Sequence, residues 1–211
     1  MAAFIALLAL NSVVPSVGNG FWMAHPEYWV FPLQTLVCGA LVWWFRAAYD
    51  LGSPAKLWLG LAVGVLVFGM WVAPQGFLGW AARTNGFNPE VFASQPGLYW
   101  TTVSLRFLRL VVVVPLVEEI FWRGFLLRYL IDEKFEEVGF GTFSWLSFLA
   151  VTAAFCLSHS RPDWPAAAVT GALYNWVAYR TKSLSTCVIT HAATNLLLGL
   201  WIMATKQWGF W

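Results

Sequence analysis

Three charged residues sit where an apolar stretch should exclude them. The segment RLVVVVPLVEEIFWRGFLLRYL, residues 109–130, carries Glu118, Glu119 and Arg123 at its centre. A charge at the middle of a membrane helix costs about 2.5–3.5 kcal/mol even on the mild insertion scale. Three of them in one span need compensation. Glu119 and Arg123 are four residues apart, share a helix face and can pair. Glu118 is rotated by about 100° from Glu119 and shares its side with Pro115, Phe121, Trp122 and Phe125. The Arg123 charge is then spent on Glu119, and Glu118 points elsewhere. A carboxylate desolvated by apolar neighbours is a standard route to a general base or acid. Pro115 removes one backbone donor, and a kink there is expected to open space beside Glu118.

Only three histidines exist. His25, in AHPEYW, reads as interfacial. His159 ends the run AVTAAFCLSH, with Phe155 one turn earlier, and His191 lies in VITHAATNLLLGL, with Asn195 one turn later on the same face. Polar residues inside a helical bundle face its interior and find each other. Glu118, His159, His191 and Asn195 are therefore expected to meet in one cavity. Ser158 adjoins His159, but neighbouring helical positions face different ways, so a Ser–His dyad is not expected. There is no GxSxG elbow and no HExxH motif. Two chemistries stay open. Glu and His could bind zinc, with an open position for water. Alternatively, Glu118 could act as general base on a water held by one His, while the other His and Asn195 donate to a developing oxyanion. Either route gives a hydrolase that attacks a carbonyl with water.

The elements that must position these residues are membrane helices by composition. The chain has 211 residues, 60% hydrophobic and 10% charged, against about 25% charged in soluble domains. Mean hydropathy is +0.66, and there are 15 Trp and 17 Phe. A disordered chain, a nucleic-acid binder and an ordinary soluble globule are excluded. Cys38, Cys156 and Cys187 lie in apolar runs and read as small buried residues rather than a disulfide framework. The apolar N-terminus has no Lys or Arg before it, which suits a first membrane helix better than a signal peptide.

A crossing helix needs about 20 apolar residues. Seven candidates follow: 2–17, 29–48, 55–74, 108–128, 143–160, 165–180 and 184–203. The first is interrupted by Asn11 and Pro15. The connection 76–107 is long, and its end, 97–107, would supply an eighth helix. The expected fold is all-α: one membrane domain over 1–211, with N-terminal helices over about 1–96 and a motif-bearing core over about 97–203. Asp163 is expected to cap the sixth helix, and Ser183 or Ser185 the seventh. Ala167 with Gly171, and Ala168 with Ala172, are small pairs that let a neighbouring helix approach. The acidic patch IDEKFEE, 131–137, reads as a solvated loop. Arg46, Lys56, Arg128, Lys134, Arg180 and Lys182 would face the cytoplasm by the positive-inside rule, and Arg83, Arg161 and Lys206 the other side.

Taken together, Glu118-Glu119-x-x-x-Arg123, Phe155-x-x-x-His159 and His191-x-x-x-Asn195 resemble the ordered motifs of the CAAX-protease and bacteriocin-processing (Abi) family. That family includes the type II CAAX prenyl endopeptidases. Trp122-Arg123-Gly124 also fits the family's context, and the likeness covers roughly 108–203. The resemblance implies a multi-pass membrane protease with an intramembrane cavity, located in the inner membrane if the source is bacterial. It implies Glu118 as general base, His159 as holder of the water, and His191 with Asn195 as oxyanion hole. Glu119 and Arg123 would position Glu118 and the substrate or water. No cofactor is expected, although composition alone is compatible with zinc. The expected partners are a peptide or protein substrate, lipidated or unmodified, and the lipid bilayer, with no nucleic acid. Two other readings share the sequence. One is a non-catalytic immunity or scaffold protein that binds a peptide. The other is a transporter, against which stands the lack of an internal repeat.

Overall fold

The computed structural model describes residues 1–16 and 20–211, and within them the chain is all-helical. The helices are α1 (Ala2–Val13), a single turn α2 (Phe21–Ala24), α3 (Glu27–Trp44), α4 (Leu57–Gly76), α5 (96–129), α6 (Trp145–Leu157), α7 (Trp164–Thr181) and α8 (Leu184–Thr205). α4, with 20 residues, and α8, with 22, are long and apolar enough to cross a membrane. α1 and α6, at 12 and 13 residues, fall short of the ~20 that a perpendicular crossing needs. The expected first span, 2–17, turns out of the α-helix at Val14–Ser16 around Pro15, and its last residue, Val17, lies outside the described residues.

From α3 onward the rods run up and down. At one end, Lys56 Nζ donates to the Arg180 carbonyl at 2.7 Å and the Ser185 N–H to Leu51 at 2.9 Å, joining the start of α4 to the α7–α8 turn. At the other end, Arg83 pairs with Asp163 at 2.6 Å and Lys206 with Glu90 at 2.6 Å. Exposed aromatics mark both ends: Trp43, Trp44, Trp58 and Trp145 at the first, Phe77, Trp80 and Trp100 at the second. Aromatic side chains at two levels of a bundle are the pattern of membrane–water interfaces.

α5 differs most from the sequence expectation. The helix foreseen at 97–107 is not a separate span but runs without a break into 108–128. Pro115 does not break the rod. The helix instead widens to a π turn over Arg109–Val113 and again over Ile120–Leu126, on either side of the α segment Val114–Glu119 that carries both glutamates. Such widenings are rare and occur frequently at functional sites. The Val114 N–H bonds the Arg109 carbonyl five residues back. In that register the missing N–H of Pro115 would have served Leu110. The Leu110 carbonyl accepts from Asn195 Nδ2 instead, at 2.9 Å.

Arg128 gathers the acidic loop by donating to the Val138, Gly124 and Glu136 carbonyls at 2.8–3.1 Å, which leaves the loop's own carboxylates outward. Ser183 caps α8 as expected, by accepting from the Thr186 N–H. Asp163 does not cap α7, because its two oxygens are taken by Arg83 and by the Ser160 hydroxyl. Ala167 and Gly171 do face a close neighbour: a Cβ on Gly171 would lie 3.3 Å from the Phe155 ring.

A tighter approach was not expected. Gly60 and Gly64 of α4 lie against Thr186, Thr190 and Thr194 of α8, and a Cβ on Gly64 would stand 2.9 Å from the Thr190 carbonyl oxygen. Thr194 Oγ1 donates to the Gly64 carbonyl at 3.0 Å. Gly64→Leu is predicted to force these helices apart and to destabilise the fold by about 1–3 kcal/mol or more. Gly69→Leu, on the same helix with nothing within 4 Å of its Cβ position, should change thermal unfolding in detergent little.

Candidate active site

Arg123 is completely buried, and each of its nitrogens has a partner. Nη1 donates to Glu119 Oε1 at 3.0 Å, Nε to Asn175 Oδ1 at 3.1 Å and Nη2 to the Gly171 carbonyl at 3.3 Å. Its guanidinium also lies 5.1 Å from the Phe155 ring centroid and 5.4 Å from that of Tyr174. Asn175 passes the tie onward by donating to Thr152 Oγ1 of α6 at 3.1 Å. Glu119, also fully buried, receives a second donor on the same oxygen, His191 Nδ1 of α8 at 2.9 Å. One ion pair therefore locks α5 to α6, α7 and α8.

The i, i+4 pairing of Glu119 with Arg123 matches the sequence expectation. Among the described residues the pair makes no bond to Glu118, and Glu119 also holds His191. An ionised carboxylate only accepts hydrogen bonds, so His191 donates through Nδ1, leaving Nε2 for the cavity. Tyr174 supports the same ring at 5.3 Å and donates to Thr194 at 2.7 Å.

His159 is fixed by another route. Its Nδ1 is 2.8 Å from the Phe155 carbonyl, which can only accept, so Nδ1 carries a proton, and Nε2 makes no hydrogen bond among the described residues. The ring sits against Phe155, at 4.8 Å, and Trp71, at 5.7 Å. Phe155, one turn before His159, thus supplies both a ring and a carbonyl. Ser158 Oγ comes within 3.3 Å of His159 Nδ1, contrary to the expectation for adjacent residues. The reason is the helix end: α6 stops at Leu157. Ser158 donates to the Phe155 carbonyl at 2.7 Å, and a protonated Nδ1 cannot take a proton from it, so the contact makes no nucleophile.

Glu118, His159, His191 and Asn195 all line one cavity of about 760 Å³, as expected. Glu119 and Arg123 lie behind its wall. Glu118 is half-buried and makes no hydrogen bond among the described residues. His25 is remote from this cavity, 3.3 Å from Glu27 at the surface. Cys38 and Cys187 are buried and Cys156 half-buried, all as free thiols. Among the described residues no group of three or more His, Cys, Asp or Glu is placed to hold a metal ion.

Two buried arginines went unnoticed in the sequence. Arg106 and Arg109 line the same cavity, and the Glu118 charge acts on Arg109. Their signal was present, as two cations three residues apart at the head of an apolar run. It was missed because the span was drawn from 108, across the pair.

The described residues thus form an all-helical bundle that brings a glutamate and two histidines to one cavity. Comparison with protein families gives the rest. Residues 99–197 match the family described as type II CAAX prenyl endopeptidase Rce1-like. The matched stretch carries all three motifs, and it starts earlier than the resemblance seen in the sequence, so that it takes in Arg106 and Arg109. Over this stretch, 99 of the 211 residues, the chain is similar to a family of CAAX prenyl endopeptidases, which are membrane peptide hydrolases. No curated protein and no solved structure matches the chain.

Removing one partner of a buried ion pair leaves the other charge uncompensated, at a cost of about 3–5 kcal/mol. Arg123→Ala should therefore lower the unfolding temperature in detergent strongly. Asn175→Ala, which removes a single neutral acceptor from Arg123, should cost less.

Proposed function

We propose that the protein is an intramembrane endopeptidase that cuts a peptide bond near the C-terminus of a membrane-associated or lipidated substrate, using a water activated by Glu118. The observation that carries this reading is the cavity itself. It brings an unbonded carboxylate, two imidazoles and a carboxamide together from three helices, in a volume of about 760 Å³. That is within the ~300–1,000 Å³ of ordinary ligand sites.

In this reading Glu118 takes a proton from water while Nε2 of His159 accepts its second hydrogen and aims the oxygen at the substrate carbonyl. The oxyanion that forms is met by Asn195 and His191. Asn195 Nδ2 has two hydrogens. One is committed to Leu110, which fixes the plane of the amide and leaves the other for the substrate. His191 can donate through Nε2 only when doubly protonated, because Nδ1 is occupied by Glu119. Glu119 thus has a defined task, to stabilise an imidazolium, and Arg123 holds Glu119 in place. The proton on Glu118 then passes to the leaving amine.

The chemistry is read as independent of metal: among the described residues no group of three or more His, Cys, Asp or Glu is placed to hold a metal ion. The bundle is read as multi-pass, with α3, α5 and α7 crossing beside α4 and α8. The two aromatic levels support that reading.

Glu118→Gln should lower kcat by about 10²–10⁴ while leaving the melting curve and helical circular dichroism of the detergent-solubilised protein unchanged. Cleavage of prenylated and unmodified peptides by the wild type should persist in chelator. Full activity of the variant would refute Glu118 as base. Activity lost to chelator and restored by zinc would refute the metal-free scheme. A folded wild type that binds peptides and cuts none would support a binding or immunity role.

A further inference from the structure

Along α5, Arg106 and Arg109 are 3% and 8% exposed, and neither has a carboxylate within ion-pair distance among the described residues. Their neighbours are chiefly aromatic faces. The Arg106 guanidinium lies 4.4 Å from the Phe31 ring, 4.8 Å from Phe87 and 5.7 Å from Trp211. That of Arg109 lies 4.6 Å from Phe31 on its own side. Arg109 donates through Nε to Gln34 Oε1 at 2.7 Å, and Gln34 is itself fixed by the Phe4 carbonyl at 2.7 Å. Arg106 makes no side-chain hydrogen bond, and its Nε and Nη1 are buried with no acceptor.

Two cations so close and so buried repel each other and lose hydration. Ring faces compensate part of that loss but cannot accept an N–H in the plane of the guanidinium. The contrast with Arg123, whose three nitrogens are all bonded, is internal to the same helix. Both unpaired arginines line the cavity that holds Glu118. Glu118 lines the same cavity and its charge acts on Arg109, but it forms no ion pair or hydrogen bond with either arginine among the described residues, and the Arg106 donors stay without an acceptor; an anion entering the cavity would meet them.

We propose that Arg106 and Arg109 bind the α-carboxylate at the C-terminus of the peptide substrate, so that the protein measures its cleavage site from the chain end. The inference rests on the protease reading of the same cavity. A guanidinium fork fits a carboxylate through two parallel hydrogen bonds. Spacing agrees. Nine to twelve helical residues separate the arginines from Glu118, about 13–18 Å along the axis and somewhat less through the widened turns. Extended peptide advances about 3.3 Å per residue, so a tail of about three to five residues spans the gap. A lipid phosphate is the other anion in a bilayer. The position of the pair inside the reaction cavity, behind Phe31 and Trp211, favours the peptide.

The test uses one fluorescent farnesylated peptide ending in a CAAX sequence, prepared as free acid and as C-terminal amide. With the full-length wild type in detergent, amidation should raise KM about tenfold to a hundredfold, the range for charge-assisted hydrogen bonds, with kcat changed less. Arg106→Gln and Arg109→Gln should cut the acid as poorly as the wild type cuts the amide and should no longer distinguish the two. Binding to Glu118→Gln protein reads the clamp without cleavage and should show the same preference. Equal cleavage of acid and amide by the wild type overturns the clamp and leaves the protease reading standing. Preference for the acid in binding, with no cleavage by the wild type, supports the clamp and counts against the protease. Equal binding, no binding of either peptide, or displacement by phosphatidylglycerol but not by the acid, overturns the proposal.

Discussion

The fold depends on one fully buried ion pair. Glu119 and Arg123 have no water to solvate them, so every polar atom around them has to be supplied by protein. Removing either would strand the other in an apolar interior. Arg123 draws Gly171 and Asn175 to α5, Asn175 draws Thr152, and Glu119 draws His191. The packing follows these bonds. Gly171 lacks a side chain where Phe155 must come close, and Phe155 in turn shapes the site of His159. A hydrophobic bundle in lipid gains little from apolar contact between helices, so a buried polar node is an efficient way to specify which helices meet and at what height.

α5 then divides its charges by task. Its central pair is structural, with every Arg123 nitrogen bonded and Glu119 bonded twice through Oε1. Glu118, one residue before Glu119 and turned away by about 100°, stays outside that pairing and faces the cavity. Arg106 and Arg109, two turns and more upstream, carry buried donors that no protein carboxylate meets. The widened turns let one helix do all three. They change the register between the arginines and the glutamates, and the register around Pro115 leaves the Leu110 carbonyl to orient Asn195. The proline that suggested a kink works through the carbonyl it leaves unbonded.

Local chemistry was legible in the sequence, and geometry between helices was only partly so. Glu119 with Arg123 could be read because four residues on a helix fix a distance. The convergence of Glu118, His159, His191 and Asn195 could be read because polar groups in an apolar chain have few places to go. The partner of His191 could not, since 72 residues separate it from Glu119 and no periodicity reports that contact. The π turns left no compositional mark. The Gly60–Gly64 surface was visible as spacing, but its significance depends on the threonines of α8 opposite it. Helix ends misled twice. Ser158 meets His159 because α6 ends there, and Asp163 is drawn to Arg83 rather than to its own helix.

The central claim is that Glu119, held by Arg123, takes the Nδ1 proton of His191 as a hydrogen bond, while the Phe155 carbonyl takes that of His159. The most direct measurement is nitrogen NMR of protein labelled only in histidine, which has three such residues. The account predicts a protonated Nδ1 on both His159 and His191, with Glu119→Gln moving the His191 signals and leaving those of His159 in place. Neutral rings protonated at Nε2 in both residues, or His191 signals indifferent to Glu119, would contradict it.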